Sequence, residues 1–524
     1  MFSISPVSGR GKFDVTSPDS TYAKPFLTVP EQIRRLRERG MDCGTDNFAT
    51  SVLERYGYYR LSGYWHLYRA RPTFPAPEFD DDGREIRLDR FVHGTNLAHV
   101  VALYDFDHEL RTRLSDALSL IEVSLRFFVG HRLGRDDRFS HRKPEVLGAV
   151  RESELSSAHD PTTSYVEWLE EYDRHEKRAR DSFVLHFRRN YGPHLPIWVA
   201  TEVMSFGVLS NLYPLMRQVD QEILAARFQI STANGRGDRG AMSNWFNSLR
   251  NVRNICAHYG RIWNRTFDVL IDAPGQLRTD PDTHLACLAH ESVSNKLYGI
   301  LVVMRHLLLS IAPQCTDIIE IVDFIEARSR RIRFGLNQLG FPDDWSADPL
   351  WSDQFDVDQV AMAVASLLDR VQCLTAVETR EVLFNARIAG VDELQTPEQE
   401  ARAKKAAQRK LLKTYLHYNV VIEIEAGGAK YYPKFQFQGG KIIDALAEIN
   451  KSLSARCTVD AHPAQVAAAL LDWWQTPHPD LTQSEEGLVR SPLDLLGTLS
   501  EADFAAEIEA VDATRSFVIP ALRV

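Results

Sequence analysis

The sequence predicts a mainly α-helical chain closed by a smaller α+β module, itself mostly helical, and three observations carry that expectation. Between about residues 96 and 133 apolar residues recur at helical spacing: Val101, Leu103, Phe106, Leu110, Leu114, Leu118, Ile121, Leu125 and Phe128. Strand-like alternation is almost absent before residue 380. Beyond it, Val420-Val421-Ile422-Glu423-Ile424-Glu425, Gly427-Gly428 and Lys430-Tyr431-Tyr432 read as a β-hairpin with a glycine turn.

The elements follow in order. Residues 1–21, rich in Ser, Pro and Gly, form an N-terminal arm. Val29-Pro30-Glu31-Gln32 opens a helix, with proline in the first turn and an acid at the positive helix end. After the long 96–133 helix, segments near 164–190, 197–216, 219–228, 241–261 and 284–312 also read as helical. Gly340-Phe341-Pro342-Asp343-Asp344-Trp345, then Asp348-Pro349, is the strongest punctuation and ends a first domain spanning 22–350. Residues 351–374 link it to a second domain, 375–524. That domain has a strong helix at 398–417, the hairpin, and helical stretches near 439–453, 463–475 and 500–511.

Composition sets limits on function. A chain of 524 residues accommodates roughly two to four domains and a sizeable core. With 44% hydrophobic and 25% charged residues it reads as globular rather than disordered. The stretch MFSISPVSGRGK has no apolar run of signal-peptide length, and the longest apolar stretch, Leu297 to Ala312, is interrupted by Arg305-His306. No membrane span is expected. Six cysteines without a CxxC pair fit a reducing cytoplasm and argue against a disulfide framework or a zinc site. No metal and no cofactor are expected. Residues 351–524 hold 17 Lys and Arg against 25 Asp and Glu, most of the net charge of −10, so a nucleic-acid site must be a local basic patch.

Such a patch exists. From Ala241 to Arg265 there is no acid, but there are four arginines, Arg250, Arg253, Arg261 and Arg265. Within it Arg253, Asn254 and His258 place a forked guanidinium and an amide beside a group that titrates near neutrality. RNA carries its own nucleophile in the 2′-OH. A base to take its proton and a cation to stabilise the phosphorane charge therefore suffice for cleavage. On a helix Arg250, Asn254 and His258 share one face, and Arg253 lies roughly 140° from His258 with a side chain long enough to reach back. Arg250, Arg261 and Arg265 are the candidate phosphate contacts. The spacing recurs at Arg126 and His131, so it carries little alone.

The run RNICAHYGRIWNR resembles the signature of abortive-infection (Abi-like) proteins of the HEPN superfamily of ribonucleases: Arg, a polar residue, three variable residues and His. Other blocks agree in order. They are Tyr22-Ala23-Lys24-Pro25-Phe26-Leu27, Gly57 to Trp65 (GYYRLSGYW), Tyr104-Asp105-Phe106-Asp107 and Ile121-Glu122-Val123-Ser124-Leu125-Arg126. Leu195-Pro196-Ile197-Trp198 with Ser205-Phe206-Gly207, and Gly340-Phe341-Pro342, complete the series. The resemblance spans roughly 22–350. It implies a HEPN-like helical bundle and a metal-independent endoribonuclease, with Arg253 and His258 as the catalytic pair and Asn254 positioning. It also implies that two motifs meet across an interface, hence a homodimer. Tyr432 to Phe437 (YPKFQF), Leu471-Asp472-Trp473-Trp474 with Thr476-Pro477-His478-Pro479, and Ser491 to Leu496 (SPLDLL) resemble the toxin-binding domain of MbcA- and ParS-type antitoxins, over roughly 375–512.

The expectation is a cytoplasmic defence protein of the toxin–antitoxin type that cleaves RNA, restrained or triggered by its own C-terminal domain. Through residues 375–512 that domain would meet a phage protein or a toxin or antitoxin partner. Two alternatives stand beside it: a non-catalytic RNA- or partner-binding defence protein, and a HEPN toxin regulated by a nucleotidyltransferase. Structural readings attach to the remaining features. Arg126 and His131 flank packing residues, Tyr58, Tyr59, Tyr64 and Trp65 read as core, Glu202 as a structural ion pair, and Trp473-Trp474 as helix packing. The run Arg402, Lys404, Lys405, Arg409, Lys410, Lys413 reads as a solvated helix face.

Overall fold

The computed structural model describes residues 25–72, 78–80, 85–152, 159–232, 237–275, 285–352, 371–383, 397–418, 420–426, 429–438, 441–456, 463–477, 481, 490–496, 499–500, 503–504 and 506–508. The expected N-terminal arm, the hairpin turn at 427–428 and most of the 351–374 link lie outside them. The fold is mainly α with a smaller α+β C-terminal part. The chain divides into two compact units, 1–106 and 107–524, with the division inside one long helix.

In the first unit α1 (Val29–Glu38), α2 (Asp46–Tyr56) and α3 (Tyr58–Trp65) pack around Leu36, Leu53, Leu61 and Trp65. The α1 start is the expected one: Thr28 and Glu31 form a capping box, with Pro30 in the first turn. Tyr64 and Trp65 are core, as read from the sequence, whereas Tyr59 is 75% exposed.

The second unit takes over along α4 (Leu97–Gly134), whose limits agree with the predicted periodicity. A short α5 (Pro144–Leu147) and an antiparallel pair, β1 (Val150–Glu152) and β2 (His159–Pro161), follow it. Three predicted helices are interrupted. The 164–190 segment is α6 (Thr163–Arg178) and α7 (Ser182–Tyr191), parted where Ala179 turns extended. The 197–216 segment is α8 (Ile197–Val203) and α9 (Phe206–Leu212). Met204 and Ser205 are extended there, and the Ser205 hydroxyl accepts from the Val208 N–H. In the 284–312 segment a single turn, α12 (Glu291–Ser294), precedes the long helix, α13 (Leu297–Ile311), which begins only after an extended Lys296. Apolar periodicity reports that a segment is amphipathic, and a break of one or two extended residues leaves that signal unchanged.

Helix α13 is buried from Leu297 to Ser310 and forms the centre of this unit. Its polar pair makes internal bonds: Arg305 Nη1 donates to the Cys315 carbonyl at 3.0 Å and His306 Nε2 lies 2.6 Å from the Phe228 oxygen. Among the described residues no helix is long and apolar enough to cross a membrane.

The C-terminal part holds the predicted hairpin, β4 (Ile424–Ala426) and β5 (Ala429–Pro433), antiparallel with Ile424 opposite Tyr431. A third strand not expected from the sequence, β3 (Cys373–Thr375), pairs with the other edge of β5. Trp473 and Trp474 are buried as expected, and the Trp474 indole donates to Asn450 at 2.9 Å. Their core also contains Val219 and Ile223 from α10 (Gln218–Arg227).

Candidate active site

The arginine-rich stretch forms α11 (Arg239–Ala257). Asp238 fixes its start by accepting from the Ala241 N–H at 3.0 Å and the Gly275 N–H at 2.8 Å. Trp245, Phe246, Leu249, Val252 and Cys256 make the buried face. Burial pushes the Cys256 thiol up to about 11, which suits a packing residue. Arg250, Asn254 and His258 fall on the other face, with Arg253 at its flank, and Asn254 and His258 are exposed.

The helix ends sooner than the predicted 261. His258 is its C-cap, and Tyr259 follows in the left-handed region at φ 57°. The Gly260 N–H returns to the Ile255 carbonyl at 2.8 Å and the Tyr259 N–H to Cys256 at 3.1 Å, a Schellman end. Gly260 is required by proximity, since a Cβ there would lie 2.9 Å from Ile255 Cγ2. His258 therefore sits on a sharp, hydrogen-bonded terminus rather than mid-helix.

The chain leaving His258 is latched by α4. The wholly buried Asp107 accepts from the N–H groups of Ile262 (3.1 Å) and Trp263 (2.6 Å). It also pairs with Arg111, which donates to the Gly260 carbonyl at 3.3 Å. The block Tyr104 to Asp107, noted in the sequence only for its resemblance, thus supplies a structural anchor.

About four turns further along α4, Glu122 gathers two arginines. Its Oε1 accepts from Arg126 Nη2 at 2.5 Å, and its Oε2 lies 3.5 Å from Arg253 Nε. Arg126 also donates to the Met204 carbonyl at 3.0 Å. The Arg253 side chain remains 42% exposed, so the ion pair with Glu122 leaves part of it open to solvent. Sequence reasoning gave Glu122 no role; the acid-then-arginine spacing of four on a helix was the available signal.

The other expected phosphate contacts diverge. Arg250 bonds Asn247, and its Nη1 lies 3.4 Å from Asn211 Oδ1 near Gly207. Arg261 lies close enough to Lys296 to help burial lower that amine's pKa. Arg265 is half-buried. The structure brings Arg253, Glu122 and Arg126 together and leaves Arg250 and Arg261 to either side. Glu202, expected in an ion pair, makes none among the described residues and is exposed. Nor do three or more His, Cys, Asp or Glu side chains there gather as a metal site.

A single chain thus offers an exposed imidazole on a rigid helix terminus, an arginine tethered on one edge, and a carboxylate that orients it. These are side-chain types that proton transfer and phosphate binding use. Residues 51–264 match the family described as Abi-like protein, a span that contains Asp107, Glu122, Arg126, Arg253 and His258. No curated protein and no solved structure matches the chain.

Proposed function

We propose that this chain is a metal-independent endoribonuclease of an abortive-infection system, of the HEPN type, with Arg253 and His258 as its catalytic pair. One observation carries the reading: Arg253 pairs with Glu122 yet stays partly exposed, on the helix whose C-cap is His258. His258 takes the proton of a ribose 2′-OH, and that oxygen attacks the adjacent phosphorus. The P–O5′ bond breaks, the departing 5′-oxygen takes a proton from an imidazolium to become a 5′-OH, and the upstream fragment ends in a 2′,3′-cyclic phosphate. Arg253 stabilises the charge that develops on the non-bridging oxygens. Asn254, exposed one position on, orients the phosphate, and Arg250 holds a flanking one. With one base per chain, the acid comes from the His258 of a second copy, so the active species is a homodimer.

The test is RNA incubation with EDTA, analysed for cyclic-phosphate ends. His258→Ala is expected to abolish cleavage while leaving the protein folded, because the side chain is exposed. Arg253→Ala is expected to lower the rate about 10²–10³-fold by removing one charge-stabilising donor. Protection of RNA without cleavage by the wild-type chain would identify a binding protein instead, and full cleavage by a folded His258→Ala protein would remove the assignment.

A further inference from the structure

Arg126, Phe127, His131 and Arg135 on α4 and Trp198 and Glu202 on α8 enclose a cavity of about 300 Å³. The helices meet closely because α4 presents glycines. A Cβ on Gly134 would lie 3.0 Å from Trp198 Cε3, and one on Gly130 would lie 3.0 Å from Thr201 Oγ1. The Trp198 indole thus rests on the α4 backbone, yet the residue stays 50% exposed. Phe127 is 58% exposed and stacks on His131, with centroids 5.3 Å apart and planes 15° from parallel. Arg135 Nη2 lies 3.4 Å from His131 Nδ1. A large aromatic side chain left half in water on a rigid floor, ringed by cations, is the make-up of a base-stacking platform beside a phosphate contact.

We propose that this cavity is a nucleotide subsite that takes a guanine base of the RNA. The base stacks on Trp198, and its phosphate meets Arg135 and His131. Glu202, the only carboxylate lining the cavity, carries no ion pair among the described residues. A carboxylate accepts two hydrogen bonds from guanine, through N1–H and the 2-amino group. Cytosine, adenine and uracil each offer it one donor group on that edge. The subsite adjoins the arginine pair: Arg126 lines the cavity and shares the Glu122 carboxylate with Arg253. A guanine seated here brings its neighbouring phosphate toward Arg253. That last step rests on the ribonuclease reading, whereas the nucleotide site itself does not.

The experiment is calorimetric titration of the full wild-type chain with guanosine 5′-monophosphate, cytidine 5′-monophosphate and inorganic phosphate, none of which is a cleavage substrate. Guanosine monophosphate is expected to bind about tenfold or more tighter than the other two, and Trp198→Ala to weaken it about tenfold or more. Glu202→Gln should bring it to the level of the cytidine nucleotide, and Arg135→Ala should weaken both nucleotides alike. Both Trp198 and Glu202 are substantially exposed, so thermal unfolding of the variants should match wild type. Equal affinity for the two nucleotides, or guanosine monophosphate binding indifferent to Trp198→Ala, overturns the proposal. So does loss of dimers in Trp198→Ala without any nucleotide binding, which would make the cavity an interface between copies. Guanosine binding by a chain that cleaves no RNA keeps the subsite and sinks the nuclease.

Discussion

His141 is wholly buried, edge-on to Tyr172 with ring centroids 5.1 Å apart. Burial pushes its imidazole down to about 3, with the positive charges of Arg142 and His194 adding to the effect. In the unfolded chain the same group takes up a proton near 6.5. The unfolded state thus binds more protons below that value, so the stability this neutral histidine contributes is complete above about 6.5 and is lost as pH falls toward 3. Urea midpoints are expected to decline between about pH 7 and pH 4, and His141→Phe to flatten that slope. A slope unchanged by the substitution would place acid sensitivity elsewhere. Asp107 makes a second single-residue case. Asp107→Ala removes the carboxylate that Arg111 faces and that accepts from the N–H groups of Ile262 and Trp263, and should cost about 3–5 kcal/mol in denaturant unfolding. An unaltered unfolding midpoint would show that the latch is not holding the loop after His258.

At the scale of elements, the site is a relation between α4 and α11. The first contributes Asp107, Arg111 and Glu122, the second Arg253 and the terminus that carries His258. Glu122→Gln keeps the size of the side chain and removes the charge that aligns Arg253. RNA cleavage is expected to fall about tenfold or more through kcat, with KM little altered, as for a group that positions a transition-state contact. Glu122→Asp, with the charge retained on a shorter arm, should recover part of the rate. An equal loss in both variants, matched by lower thermal stability, would mean that Glu122 serves packing alone. The same helix carries Gly130 and Gly134, which set how closely α8 approaches and so shape the cavity under Trp198.

Across the whole molecule, the C-terminal part is joined to the rest through α10. Val219 and Ile223 share its core, and Gln372 donates to Asp136 just beyond α4. Arg132 of α4 pairs with Asp220 of α10 at 2.7 Å, both buried. Burial opposes ionisation of Asp220, but Arg132 and Arg217 outweigh it and hold its pKa low. Arg132 lies about 15 Å along α4 from Glu122 by the helical rise. Restraint by the tail would therefore act through α4 rather than by covering Arg253. A chain ended at Ser352, carrying Val219→Thr and Ile223→Gln to suit the uncovered α10 face, is expected to cleave RNA faster than the full chain. A folded truncation that is no faster would make the tail a sensor or recruiting module. Light scattering of the full chain should report about twice its 59.6 kDa mass. A monomer with full activity would remove the dimer from the mechanism.

The sequence by itself determined the mainly α class, the limits of α4, the β4–β5 hairpin and the acid-free stretch bearing Arg253 and His258. Each is written in local periodicity or composition, which short-range physics reads directly. Tertiary structure decided the rest. The end of α11 at His258 depends on a left-handed Tyr259 and on Gly260 packed against Ile255. The pairing of Arg253 with Glu122 joins positions 131 residues apart in sequence. The strand β3 pairs with β5 from a segment too short to show alternation. The fate of Trp198 was open in the same way: an aromatic at helical spacing reads as core, and only the glycine floor of α4 leaves its ring half in solvent. Contacts between distant segments carry no local pattern, and they place charges and cavities as firmly as they place cores.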